Sequence, residues 1–185
     1  MSLRSVTTPD EIIELFQERG HSEYGGEDVT QLQHALLAAH LAEQSNASAE
    51  LIVAALLHDF GHLLHELPDD APDNGIDDFH EDAGEKALAK IFPAAITEPI
   101  MLHVQAKRFL CTTDKSYFAK LSEASITSLN LQGGTMSEEE LTKFKSYPYW
   151  RDALRLRIWD DLAKDPEQKT PALAHYLSYL EEASL

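Results

Sequence analysis

Apolar positions recur at helical spacing along most of the chain. Thr8 reads as a helix N-cap, with Pro9 in the first helical position and Glu11 completing a capping box. Ile12, Ile13, Leu15 and Phe16 then form an apolar face that stops at Gly20. His21 to Glu27, with Gly25 and Gly26 between Tyr24 and Glu27, reads as a pliable loop. The spacing predicts a second helix over Val29–Asn46, with Leu32, Leu36, Ala39, Leu41 and Ala42 on one side. Leu51–His58 is apolar almost throughout, which predicts a central helix buried on every side. Leu67–Asp78 carries no apolar period and reads as an acidic loop.

Helical spacing returns over Phe79–Phe92, and Thr97-Glu98-Pro99 is expected to open the next helix. Thr113 or Asp114 can cap a short helix, Ser125–Leu131 is ambiguous, and Gly133-Gly134 ends it. Ser137 with Glu140 forms another capping box, starting a helix that Pro148 terminates. Two more helices are expected over Tyr149–Lys164 and Ala172–Glu182. No strand, repeat or linker stands out. The pattern predicts a single all-α domain over residues 1–185, with about eight to ten helices.

The net charge of −17 changes the picture of partners: such a surface repels nucleic acid and anionic membranes. A small anionic substrate stays possible if basic residues gather locally. One cysteine, Cys111, excludes an internal disulfide framework and fits a reducing compartment. Met1–Asp10 has no apolar core of a signal peptide, and no run approaches the roughly 20 apolar residues of a membrane span. The expected location is cytoplasmic. Nothing in the sequence sets the oligomeric state.

The candidate chemistry centres on Leu56-Leu57-His58-Asp59-Phe60-Gly61-His62. Adjacent imidazole and carboxylate suit iron, manganese or zinc. The plainer alternative is a helix that ends at a glycine with polar residues in its last turn. Further candidates follow in order: His34, His80, His103 and an Asp of Trp159-Asp160-Asp161. They lie on or near apolar helices, which can converge on one bundle core as in dinuclear carboxylate centres.

This pattern, H…HD…H…H…D, resembles the HD-domain superfamily over roughly residues 30–165. The resemblance implies an HD-type helical bundle with a dinuclear metal site in its core. His34, His58, Asp59, His80, His103 and Asp160 would be the ligands, bridged by Asp59. Most of the superfamily are phosphohydrolases. The mixed-valent diiron oxygenases carry Lys four positions after the final Asp, and Asp160 with Lys164 fits that spacing better than Asp161. Further residues resemble the phosphonate-cleaving branch: Tyr24-Gly-Gly-Glu27, the HDxxH that ends at His62, Lys107, Ser125, Ser128, Gln132 and Arg157. Ser128 departs from the Thr expected there.

The resemblance implies two iron ions, Fe(II)/Fe(III), with O2 as co-substrate and a zwitterionic organophosphonate as partner. Lys107 and Arg157 would meet the phosphonate charge, and His62, Ser125, Ser128 and Gln132 would supply directional donors. Glu27 would pair with a substrate ammonium, and Tyr24 would gate the metals. The expected reaction is oxidative cleavage of (R)-2-amino-1-hydroxyethylphosphonate to glycine and phosphate. The alternative is a metal-dependent phosphohydrolase acting on a nucleotide or another phosphomonoester. A regulatory module with a degenerate site is a third reading, which the complete ligand set disfavours.

Overall fold

Ten α-helices, one short hairpin and two 3₁₀ turns make up the ordered elements of the computed structural model, which describes residues 4–65 and 78–185. The helices are α1 (Pro9–Arg19), α2 (Gln31–Gln44), α3 (Ala49–Leu57), α4 (His80–Leu88) and α5 (Ala94–Thr113), followed by α6 (Lys115–Phe118), α7 (Glu123–Leu131), α8 (Glu138–Lys145), α9 (Trp150–Leu162) and α10 (Leu177–Ala183). The 3₁₀ turns span Phe60–Leu64 and Leu173–Tyr176. The all-α class is what the spacing predicts, and the bundle with its buried His/Asp cluster is consistent with an HD-like helical bundle.

Helix α3 is the axis because it has no polar face: every residue from Leu51 to Leu57 is buried. It packs against α2, α5, α9 and α10. Ser48 caps its start by accepting the Leu51 N–H. A second apolar cluster, with Leu102, Ala106, Phe109, Phe144 and Ala153, joins α5 to α8 and α9. Its effect is to seat α5 firmly beside α9, the two helices that carry His103 and Asp160.

The structure corrects several expectations. Strands do occur, as a hairpin of β1 (Glu23–Tyr24) and β2 (Glu27–Thr30), antiparallel, with Tyr24 opposite Glu27. Gly25 and Gly26 take φ of +40° and +79°, the two left-handed positions that a tight hairpin turn demands. Helix α2 therefore starts at Gln31 rather than Val29, closed by an unpredicted capping box of Thr30 and Gln33. Glu11 Oε2 accepts from the Thr7 N–H at 2.6 Å, so the reciprocal arm of the expected box reaches one residue too far back.

Helix α5 begins at Ala94, not Thr97, and Pro99 lies inside it. The last segment splits into a 3₁₀ turn and α10. The ambiguous Ser125–Leu131 stretch is helix α7, capped by Ser122. Most of the expected acidic loop, Leu67–Asp78, lies outside the described residues. Among those described, no helix is long and apolar enough to cross a membrane.

Candidate metal centre

The six residues implied as ligands meet in the middle of the bundle, all buried. Helix α2 brings His34 and the end of α3 brings His58, with Asp59 directly after it. The first residue of α4 is His80; α5 carries His103, and α9 carries Asp160. They form two groups that share Asp59: His34, His58, Asp59 and Asp160, then Asp59, His80 and His103.

Asp59 divides its oxygens between the groups. Oδ2 lies 3.3 Å from His58 Nε2 and 3.6 Å from His34 Nε2. Oδ1 lies 3.3 Å from both His80 Nε2 and His103 Nε2. Asp160 Oδ1 closes the first group at 3.3 Å from His34 Nε2.

The imidazole orientations state what the space is built to hold. His34 Nδ1 donates to the Ala163 carbonyl at 2.9 Å, His58 Nδ1 to Ala55 at 2.9 Å and His103 Nδ1 to Ile100 at 2.6 Å. His80 Nδ1 donates to Asp78 Oδ1 at 2.9 Å. With each proton on Nδ1, every Nε2 presents a lone pair to the interior. Yet His34 Nε2 lies 3.0 Å from His58 Nε2, and His80 Nε2 lies 3.1 Å from His103 Nε2. Paired lone pairs at that separation repel unless a cation sits between them. Such anchoring of the outer nitrogen is the usual support of metal-binding imidazoles.

The charges agree. Asp59 has only imidazoles as ion-pair partners among the described residues. An unpaired buried carboxylate costs several kcal/mol. Burial opposes charge on His58, but Asp59 and Asp160 outweigh it and push the imidazole up to about 10. His80 is raised in the same way, against burial, by Asp59 and Asp78. The space thus calls for positive charge, which a metal ion would supply in place of protons. Four His and two Asp, of which Asp59 is shared, fit borderline-hard first-row metals.

Around the centre lie the other residues singled out in the sequence. Tyr24 stacks on His34, ring centroids 3.7 Å apart, and donates to Asp160 Oδ1 at 3.4 Å. Lys107, buried one turn beyond His103, donates to Ser128 Oγ at 2.8 Å. Burial and the neighbouring Arg157 charge lower its ammonium to about 7. His62 stacks on His80 at 4.0 Å and its Nδ1 donates to Asp78 Oδ2 at 2.7 Å. Gln132 follows α7, and its Oε1 is buried with no hydrogen-bond partner among the described residues.

Two charged groups are more occupied than the sequence reading assumed. Arg157 Nη1 donates to Asp160 Oδ2 at 2.6 Å, while Nη2 and Nε reach Asp161 and Nε also reaches Tyr117. Glu27 Oε1 accepts from Lys164 Nζ at 2.8 Å and from Ser122 Oγ at 2.7 Å. Burial raises the Glu27 carboxyl, but Lys164 and Ser122 outweigh it and hold it below its usual range. Ser125 Oγ accepts from Lys164 Nζ at 3.2 Å. Sequence reasoning used Lys164 only as a spacing marker, weighed Asp161 only as an alternative ligand to Asp160, and gave Asp78 and Tyr117 no role in the site. Lys164 and Tyr117 are brought in by tertiary contact across the bundle, which no local spacing signals, whereas Asp161 stands one helical turn after Arg157 on α9.

No protein-family model matches the chain. It is 47% identical over 171 residues to the hydroxymethylphosphonate dioxygenase of Gimesia maris, across 92% of this chain and 85% of that protein. It is 43% identical over 162 residues to the [1-hydroxy-2-(trimethylamino)ethyl]phosphonate dioxygenase (glycine-betaine-forming) of Leisingera caerulea, across 88% and 83%. An uncharacterised protein of Acanthamoeba polyphaga mimivirus is 39% identical over 180 residues, across 94% and 82%.

Proposed function

We propose, for a chain that belongs to the phosphonate dioxygenase family, that it uses O2 to cleave the carbon–phosphorus bond of a 1-hydroxyphosphonate at a pair of iron ions. Within that class we assign (R)-2-amino-1-hydroxyethylphosphonate as substrate, giving glycine and phosphate. The carrying observation is Asp59, whose two oxygens face two separate histidine groups beneath the Tyr24–Glu27 hairpin. Family membership also makes the chain an oxygenase, which sets the phosphohydrolase reading aside.

Held by His34, His58, Asp160, His80, His103 and the shared Asp59, an Fe(II)/Fe(III) pair would supply the redox chemistry that zinc cannot. The balance needs no outside reductant. C1 goes from the alcohol to the carboxyl level, giving up four electrons, and O2 takes all four. The carbon–phosphorus bond breaks and the phosphorus leaves as phosphate.

The protein's own groups bind and orient. Lys107 meets the phosphonate dianion, moving from Ser128 to the substrate oxygen. Ser125, Ser128, Gln132 and His62 Nε2 offer the directional contacts, and the unpartnered Gln132 Oε1 is suited to a protonated oxygen or an amine. Arg157 acts through charge and through its grip on Asp160, because its N–H groups already have carboxylate partners. Tyr24 covers the His34 face of the centre until substrate arrives. Glu27, ionised at neutral pH, passes from Lys164 to the substrate ammonium.

One observation favours a second reading. Lys164 already neutralises Glu27, so a substrate with no amine leaves that pair intact. Hydroxymethylphosphonate, giving formate and phosphate, meets that condition. The trimethylammonium analogue prefers aromatic faces, and one face of Tyr24 is taken by His34.

Phosphate release by iron-loaded protein from the three compounds, with and without O2, ranks them. The assignment expects O2-dependent release, with the highest kcat/KM for the primary amine and glycine as co-product. Faster release from hydroxymethylphosphonate makes the second reading the right one. Release without O2, or none from any of the three, contradicts oxidative cleavage.

A further inference from the structure

Outside the six candidate ligands, one carboxylate gathers three imidazoles. Asp78 Oδ1 accepts from His80 Nδ1 at 2.9 Å and from the His80 backbone N–H at 3.3 Å. Asp78 Oδ2 lies 2.7 Å from His62 Nδ1 and 2.9 Å from His65 Nε2. The His62 and His80 rings stack at 4.0 Å, tilted by only 21°. The backbone turns left-handed at Phe79, φ +50°, to bring this carboxylate back over the start of α4. A non-glycine residue is strained in that conformation, so the placement of Asp78 is held against a local penalty.

We infer that Asp78 is a positioning residue that locks two imidazoles at once: His80, with its Nε2 turned to the metals, and His62, with its Nε2 turned to the substrate phosphonate. The geometry follows from donor counting. A carboxylate only accepts, so each ring nitrogen it touches must carry a proton. The other nitrogen of His80 is then the one that can ligate. The stacked His62 ring is fixed with Nδ1 toward Asp78 and Nε2 away from it. The His62 half rests on the functional reading above; the His80 half does not.

His62, His65 and Asp78 also have the make-up of a metal site. The distances favour hydrogen bonding. The candidate ligand atoms that face one another in the first group of the main centre, such as His34 and His58 Nε2 or His58 Nε2 and Asp160 Oδ1, stand 3.0–3.8 Å apart, whereas those around Asp78 Oδ2 lie at 2.7 and 2.9 Å.

The test compares wild type with Asp78→Asn, nearly the same in shape, and Asp78→Glu, which keeps the charge. An amide offers one acceptor and turns an N–H toward imidazole N–H groups. Competition with a chelator reads the metal side. Asp78→Asn is expected to bind the iron of the Asp59–His80–His103 group about 10–100-fold less tightly, with the iron of the His34–His58 group unaffected and Asp78→Glu in part restored. At saturating iron, Asp78→Asn is expected to raise KM for the phosphonate about tenfold with a smaller change in kcat. In a His62→Ala background the same substitution should leave KM unmoved, which a general loss of structure would not produce.

Unchanged iron binding in Asp78→Asn overturns the His80 half. A KM effect that persists without His62 overturns the other half. A third metal ion in wild type, lost in Asp78→Asn, makes the cluster a metal site instead. If wild type turns over no 1-hydroxyphosphonate, the functional reading fails while the chelator result still decides the role at His80.

Discussion

The two halves of the candidate centre are anchored by different means. In the first, the histidine Nδ1 atoms of His34 and His58 rest on backbone carbonyls, and Arg157 holds Asp160. In the second, His103 also rests on a carbonyl, three residues back in its own helix, but His80 depends on the side chain of Asp78. A backbone carbonyl comes with the helix and survives any side-chain change. A carboxylate partner can be lost or moved. The first half also has four candidate ligands against three in the second. The difference teaches that one metal should be held tightly and the other more weakly, at the more open position.

The most severe way to break this comparison is to remove the group both halves share. Asp59→Ala should abolish O2-dependent turnover and reduce tightly bound iron to about one ion per chain or fewer, because both groups lose a ligand. Elemental analysis beside an oxygen-electrode assay checks it.

Next is Gly61→Ala. A methyl there would stand 1.9 Å from the His80 carbonyl oxygen, a backbone atom with no freedom to rotate aside. Helix α4 must shift, at about 1–3 kcal/mol of stability, and the second half should lose metal before the first. Thermal melts and chelator titration read both effects.

A pH series sharpens the comparison from the substrate side. Burial and Arg157 lower Lys107 to about 7, so its charge is lost as pH rises through that point. KM for a phosphonate should climb above about pH 7 and be nearly flat with Lys107→Met. The sign for stability is opposite. Between about 7 and the ordinary lysine range the unfolded chain binds the extra proton, so this residue's contribution to stability grows with pH there. Urea titrations at several pH values should show that slope reduced in Lys107→Met.

The smallest effect is expected for Tyr24→Phe. It removes one 3.4 Å hydrogen bond to Asp160 but keeps the ring on His34. Such a bond contributes about 0.5–1.5 kcal/mol, so kcat/KM should change by no more than about tenfold, with iron content unaltered.

Much of this was legible from sequence for a physical reason. The apolar run Leu51–Leu57 announces a buried axis, and His58-Asp59 at its end can hardly point anywhere but into the bundle. Long helices carried the other ligands at spacings that survive errors of a residue or two. The hairpin at 23–30 was missed, although Gly25-Gly26 is a hairpin signal, because its strands are too short to show alternation. The partners of the charges were missed for another reason. Sequence placed Glu27 and Arg157 near the site, but that Lys164 neutralises Glu27 depends on a contact across 137 positions of chain, whereas Asp161, four positions after Arg157 on α9, stood at a helical pairing distance and was weighed only as a ligand. Asp78 gave no signal, being one Asp among several in an acidic stretch.

The central claim is that one carboxylate, Asp59, joins two unequal metal positions into a single redox centre. Mössbauer spectroscopy of the protein loaded with iron-57 tests it most directly. The account predicts two irons per chain as a magnetically interacting pair, in two distinguishable environments, with the interaction lost in Asp59→Ala. One iron per chain, or two that do not interact, would contradict it.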